Sequence, residues 1–107
     1  MSLKQANDSN FTELTGSGIT LVDFGAAWCP PCKVLLPILE ELEHELSEAS
    51  GLSVLSLDVE ESPVTSSAFG VMSMPTVILF KDGQPMDKLV GLRSKEAYVN
   101  MVQKHLA

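Results

Sequence analysis

The sequence predicts an α/β domain, a central mixed sheet of about five strands flanked by about four helices. Three observations carry that prediction. Apolar runs of strand length recur at Ile19–Phe24, Leu52–Val59 and Pro75–Phe80, continuous enough to be covered on both faces. Segments of helical periodicity separate them. The chain has 107 residues and is 45% hydrophobic, which suits one packed core and one domain over 1–107.

Each element has a local reason. Residues 2–6 read as a short edge strand. Asn7-Asp8-Ser9-Asn10 supplies cap-forming side chains for a short helix to Thr15, and Gly16-Ser17-Gly18 ends it. Ile19 to Phe24 is the first buried strand. From Pro30 to Ser50 the pattern is helical, with Val34, Leu35, Ile38, Leu39, Leu42 and Leu46 on the inner face. Glu40, Glu41, Glu43, Glu45 and Glu48 mark the wet face. Pro37 should kink this helix, and Gly51 closes it. Residues 52–59 form the second buried strand and 62–69 a short helix. Lys81-Asp82-Gly83-Gln84 reads as a hairpin turn, because Asp-Gly accepts positive φ. Met86 to Val90 returns antiparallel. Ser94 caps a last helix with Ala97, Tyr98, Met101, Val102 and Leu106 inward.

The chemistry lies in Trp28-Cys29-Pro30-Pro31-Cys32, which holds the only two cysteines. A strand ending in Cys-x-x-Cys and running into a helix places both sulfurs on the first turn, on one side. Unpaired N–H groups and partial positive charge at a helix start favour a thiolate, whose free pKa is about 8.5. Cys29, at the cap, is expected to be the exposed nucleophile. Cys32, one turn in, is expected to be more buried and to resolve the mixed disulfide. Prolines are tolerated at 30 and 31, where no intrahelical N–H is required. They leave the Cys29 thiolate with the amides of Cys32 and Lys33. A structural disulfide closing so short a loop would constrain the unfolded chain little. A zinc site needs two further ligands, and His44 and His105 are far apart in sequence. No metal and no cofactor is expected.

Asp23 interrupts the first apolar strand. A buried carboxylate has a raised pKa, so Asp23 is a candidate to exchange a proton with Cys32 at neutral pH. Pro75 opens a strand, where any proline is tolerated, and on its own a trans bond is the better expectation.

The net charge of −7 disfavours nucleic acid and anionic membranes as partners. The sequence has no apolar run of membrane-spanning length. The N-terminus lacks the apolar block of a secretory signal. A cytoplasmic location and a monomer are the default expectations. In a reducing compartment a lone cysteine pair is catalytic rather than structural.

Taken together these motifs resemble the thioredoxin family over nearly the whole chain. Val22-Asp23-Phe24 followed by Ala27-Trp28-Cys29 resembles the family's active-site entry. Lys33 and Pro37 sit where the family has a lysine and a proline. Met74-Pro75-Thr76 resembles its cis-proline loop, Phe80-Lys81-Asp82-Gly83 its hairpin, and Val90-Gly91 its substrate-facing loop. The resemblance implies the thioredoxin fold and protein-disulfide reduction, with Cys29 attacking and Cys32 releasing product. It implies a cis bond at Pro75, which aims the Met74 backbone at a substrate chain. It also implies recharging by a thioredoxin reductase, and clients such as ribonucleotide reductase, peroxiredoxin and methionine sulfoxide reductase. Trp28, Pro30, Pro31, Met74, Pro75, Val59 and Gly91 become the expected substrate-binding residues, with Met72 and Val90 completing an apolar collar.

Three positions depart from the family pattern. Pro30 replaces its usual glycine, Gly25 stands where a tryptophan is frequent, and Ser56 where a lysine is frequent. Without that lysine, the proton affinity of Asp23 should rise further. A more oxidising pair, making the protein an oxidase or isomerase, and a docking module with little turnover are the alternatives.

Overall fold

A computed structural model describes residues 3–106, the Ala49 side chain excepted. The elements run β1 (Lys4–Ala6), α1 (Phe11–Thr15), β2 (Ile19–Gly25), α2 (Pro30–Ser50), β3 (Ser53–Asp58), α3 (Pro63–Ala68), β4 (Thr76–Lys81), β5 (Gln84–Val90) and α4 (Lys95–Lys104). The sheet order is β1-β3-β2-β4-β5. β3 is parallel to both β1 and β2, while β4 runs antiparallel to β2 and β5 antiparallel to β4. This is the expected mixed sheet, and the expected strand at residues 2–6 begins at Lys4, with Ser2 outside the described residues.

Side-chain alternation divides the core into two layers. Leu21, Val54, Val77 and Leu79 pack with Leu35, Leu39 and Leu42 of α2 and Tyr98, Met101 and Val102 of α4. Val22, Phe24, Leu55, Leu57, Ile78 and Phe80 pack on the other face with Phe11 of α1. Phe69, the C-cap of α3, meets Phe11 and Phe80 there at ring-centroid distances of 5.4 and 5.1 Å. Asp23 alternates with Leu21 and therefore faces α2.

The helix α2 begins with two prolines in its first turn, continues through Pro37, and stops at Gly51, whose φ of 70° takes the left-handed cap. Its inner face is narrower than the sequence suggests. Val34 is 53% exposed, because it lies about 100° of helical rotation from Leu35, at the margin of the apolar stripe. Glu43 is half-buried rather than wet, and its Oε2 accepts the Val54 amide at 2.9 Å. Leu106, expected inward, is exposed because α4 ends at Lys104 and the chain leaves the helical face.

The hairpin follows its Asp-Gly signal, with φ of 51° at Asp82 and 84° at Gly83. Asp82 is also clamped to the preceding turn. Its amide donates to the Gly18 carbonyl and its Oδ1 accepts the Gly18 amide, both at 2.9 Å. β5 starts two residues earlier than its apolar pattern, and Met86 bulges between the Leu79–Asp87 and Phe80–Pro85 pairs. Ser94 caps α4 as expected, its hydroxyl accepting the Ala97 amide at 3.3 Å. Among the described residues no helix is long and apolar enough to cross a membrane.

Candidate active site

The C-terminal end of β2 delivers the chain to the start of α2, and the cysteines sit at that junction. Cys29 occupies the N-cap with extended backbone, φ −92° and ψ 111°. Its amide donates to the Ala26 carbonyl at 3.2 Å, which closes the turn leading into the helix. Cys32 lies in the first turn, and the two are joined as a disulfide with their Cα atoms 5.3 Å apart.

Both cysteines are buried, at 4% and 5% exposure, so the expected contrast between an exposed Cys29 and a buried Cys32 is absent in the disulfide form. The reason is local packing. Ala26, Val59 and Met74 close around the bonded sulfurs. Val59 is held there by its amide, which donates to the Gly25 carbonyl at 2.9 Å. Of the two amides expected to serve the thiolate, that of Lys33 donates to the Cys29 carbonyl at 3.3 Å.

The Met74–Pro75 bond is cis, as the resemblance implied and the bare statistics did not. The Met74 carbonyl oxygen lies 3.9 Å from the Cys29 sulfur, so backbone polar groups face the disulfide. Two neighbours fix this loop. Thr76 Oγ1 donates to the Ser73 carbonyl at 2.6 Å, and the Gly91 amide donates to the Pro75 carbonyl at 2.8 Å. Gly91 takes φ of 85°, which suits glycine.

Tyr98 extends the chain of contacts. Its hydroxyl donates to the Gly91 carbonyl at 3.3 Å and accepts the Arg93 amide at 3.1 Å. Sequence reasoning placed Tyr98 only in the core. The available signal was that a buried phenol needs a partner for its hydroxyl.

The remaining expected binding residues divide by exposure. Trp28 is 59% exposed and Met72 93% exposed, so Met72 is not core. Val90 is exposed at the end of β5, paired with Thr76. Pro30 and Pro31 are exposed on the first turn of α2. Met74 and Val59 are partly buried against the cysteines, and Pro75 is buried.

Asp23 is 2% exposed, and its Oδ1 has no hydrogen-bond partner among the described residues. Burial alone pushes its pKa up to about 7. It stands opposite Ser56 in β3 and opposite Val77 in β4, neither of which carries charge. The Gly25 backbone brings Asp23 and Cys32 together. A carbon attached at Gly25 Cα would lie 3.3 Å from the Cys32 sulfur and 3.8 Å from Asp23 Oδ1. The described residues hold no group of three or more His, Cys, Asp and Glu side chains suited to a metal ion.

An arrangement of this kind can exchange two electrons and two protons with a disulfide. Known proteins agree with it. The thioredoxin family model matches residues 2–104. The thioredoxin of Staphylococcus saprophyticus is 47% identical over 106 residues, 99% of this chain and 100% of that one. That of Staphylococcus haemolyticus is 48% identical over the same span. Among solved structures, a mutant thioredoxin from Halobacterium salinarum superposes with a TM-score of 0.88 at 30% identity, covering 99% of this chain and 92% of its own. A chain from a structural study of thiol resolution in yeast mitochondrial 1-Cys peroxiredoxin via glutathione/thioredoxin systems gives 0.85 at 30% identity, with 96% and 95% covered. The cysteine pair therefore sits in a chain that belongs to the thioredoxin family and is a dithiol–disulfide oxidoreductase.

Proposed function

We propose that this protein reduces disulfides of other proteins, with Cys29 as nucleophile and Cys32 as resolving thiol. The placement of the Cys29–Cys32 disulfide at the start of α2, against the Met74 carbonyl, is the observation that carries the reading. In the reduced protein the Cys29 thiolate attacks one substrate sulfur. The Cys29–substrate bond forms as the substrate disulfide breaks, and the departing thiolate takes a proton. Cys32 gives its proton to Asp23 and attacks the Cys29 sulfur, which expels the second substrate thiolate. The Cys29–Cys32 disulfide that results is recharged by two electrons from a thioredoxin reductase.

Substrate chains dock over Trp28, Pro30, Pro31, Val59, Met74, Pro75 and Gly91. The Met74 backbone offers strand-like hydrogen bonds, and the exposed Trp28 and Met72 adapt to varied side chains. Peroxiredoxin, methionine sulfoxide reductase and ribonucleotide reductase fit this chemistry as clients. The peroxiredoxin context of one structural neighbour supports the first of them. A monomer working in the reducing cytoplasm completes the reading.

The test is insulin-disulfide reduction with NADPH and thioredoxin reductase, alongside equilibration of the pair against glutathione. Rapid turnover with a potential below that of glutathione is the expected result. A potential well above it would make the protein an oxidase. Partner binding by a Cys29→Ser, Cys32→Ser double variant, with no turnover by the native protein, would make it a docking module.

A further inference from the structure

The loop that follows β5 has its backbone polar groups tied down. Arg93 Nε donates to the Val90 carbonyl at 3.1 Å. The Gly91 amide donates to the Pro75 carbonyl at 2.8 Å, just past the terminal Thr76–Val90 pair of the β4–β5 ladder. The Gly91 carbonyl accepts from the Tyr98 hydroxyl at 3.3 Å, and the same hydroxyl accepts the Arg93 amide at 3.1 Å. One phenol oxygen therefore holds the chain on both sides of Leu92. Val90 and Leu92 are left outward, 42% and 40% exposed.

The oxygen itself has little freedom. Tyr98 stands in the first turn of α4, and its ring is fully buried in the layer that holds Leu35, Leu39 and Val77. An apolar side chain of similar size would fill that place equally well, and a buried hydroxyl is costly unless it is paired. Both hydrogen bonds of this hydroxyl go to the Gly91–Arg93 loop.

We propose that Tyr98 is a positioning residue for client binding. Its hydroxyl fixes the Gly91 loop and, through the Gly91–Pro75 hydrogen bond, the Met74 backbone, whose carbonyl lies 3.9 Å from the Cys29 sulfur. This role rests on the reductase reading above. A client chain that pairs with the Met74 backbone needs it in one orientation, and a loop ordered beforehand costs less to order on binding. A small disulfide needs the cysteines and none of the loop.

Tyr98→Phe keeps the ring and removes the oxygen. Prereduced native and variant proteins are mixed with a range of insulin concentrations in single-turnover runs, followed by the fluorescence of Trp28, the one tryptophan. The half-saturating insulin concentration should rise ~5-fold in the variant, the equivalent of one lost hydrogen bond. The saturated rate, and the rate with the small disulfide dithionitrobenzoate, should stay within about twofold of native. Hydrogen exchange should quicken ~10-fold at the Gly91 and Arg93 amides and stay unchanged along the β2–β4 ladder. Unchanged exchange at those two amides would mean that the hydroxyl does not hold the loop. Faster exchange with an unaltered half-saturation would mean that clients do not read the loop. An equal slowing with both substrates would place the effect in the cysteines. Each of these three results overturns the proposal while the native protein still turns over. Failure of the native protein to reduce insulin would overturn the reductase reading itself, and the role of Tyr98 with it.

Discussion

Asp23 faces Ser56 in register across the parallel β2–β3 ladder, both on the α2 side of the sheet. That pairing leaves the carboxyl with burial as the one resolved influence on its ionisation. Its pKa rises from 3.8 in the unfolded reference to about 7 in the fold, so the native state holds the extra proton between those values. Stability therefore declines as pH rises from about 4 to about 7, and levels off above that. The burden of burying the ionised carboxylate at alkaline pH is on the order of 4 kcal/mol. Asp23→Asn should be stabilised by a few kcal/mol at pH 8 and little changed at pH 4. Urea unfolding of the two oxidised proteins at both values checks this, and equal differences at the two pH values would refute it.

The two cysteines should differ in what their loss leaves behind. Cys29→Ser should lower turnover by at least ~10³-fold with no trapped complex. Cys32→Ser should accumulate mixed disulfides with the substrate, visible on non-reducing gels. Indistinguishable losses without trapped complexes would reverse or remove the assignment.

Asp23 should also govern the release step. Resolution of a mixed disulfide by Cys32 should accelerate as Asp23 ionises near pH 7, its folded-state value. Asp23→Asn should lose that limb and slow product release at neutral pH. A pH–rate profile matching that of the native protein would exclude Asp23 as the proton carrier.

Trp28 is exposed beside the cap residue, which makes it the outermost apolar contact of the proposed docking surface. Trp28→Ala should raise KM for a protein disulfide ~10-fold, the loss of one aromatic anchor, with a smaller effect on a small disulfide reagent. Equal effects on both substrates would point to a change in the cysteines rather than in docking.

Gly51 closes α2 in the left-handed region with open space around its Cα. Gly51→Ala therefore meets no clash, and its cost is the backbone preference alone, about 1 kcal/mol. Thermal unfolding should show a modest drop with redox activity intact. A much larger loss would mean that the cap has a packing role.

The strands were legible because three apolar runs have few alternative homes, and the cysteine pair because its spacing has one dominant chemistry. Asp23 was legible as a charge inside such a run. Other features depend on what neighbours do. Val34 follows the helical period but lies at the margin of the apolar stripe, and Leu106 follows it on paper but falls beyond the last turn of α4. Glu43 reads as a surface acid until β3 brings the Val54 amide to it. The bulge at Met86 arises from pairing between two strands, which neither strand encodes alone. Gly25 and Ser56 were visible as departures, yet a cavity between them emerges only when β2, β3 and α2 enclose it.

Both rims of the sheet are poor templates for an added strand. β1 offers three residues, and β5 is bent by its bulge and carries Pro85 and an exposed Lys88. An extended segment of another chain thereby finds little free backbone along either rim to pair with, which guards the sheet against edge-to-edge growth into aggregates.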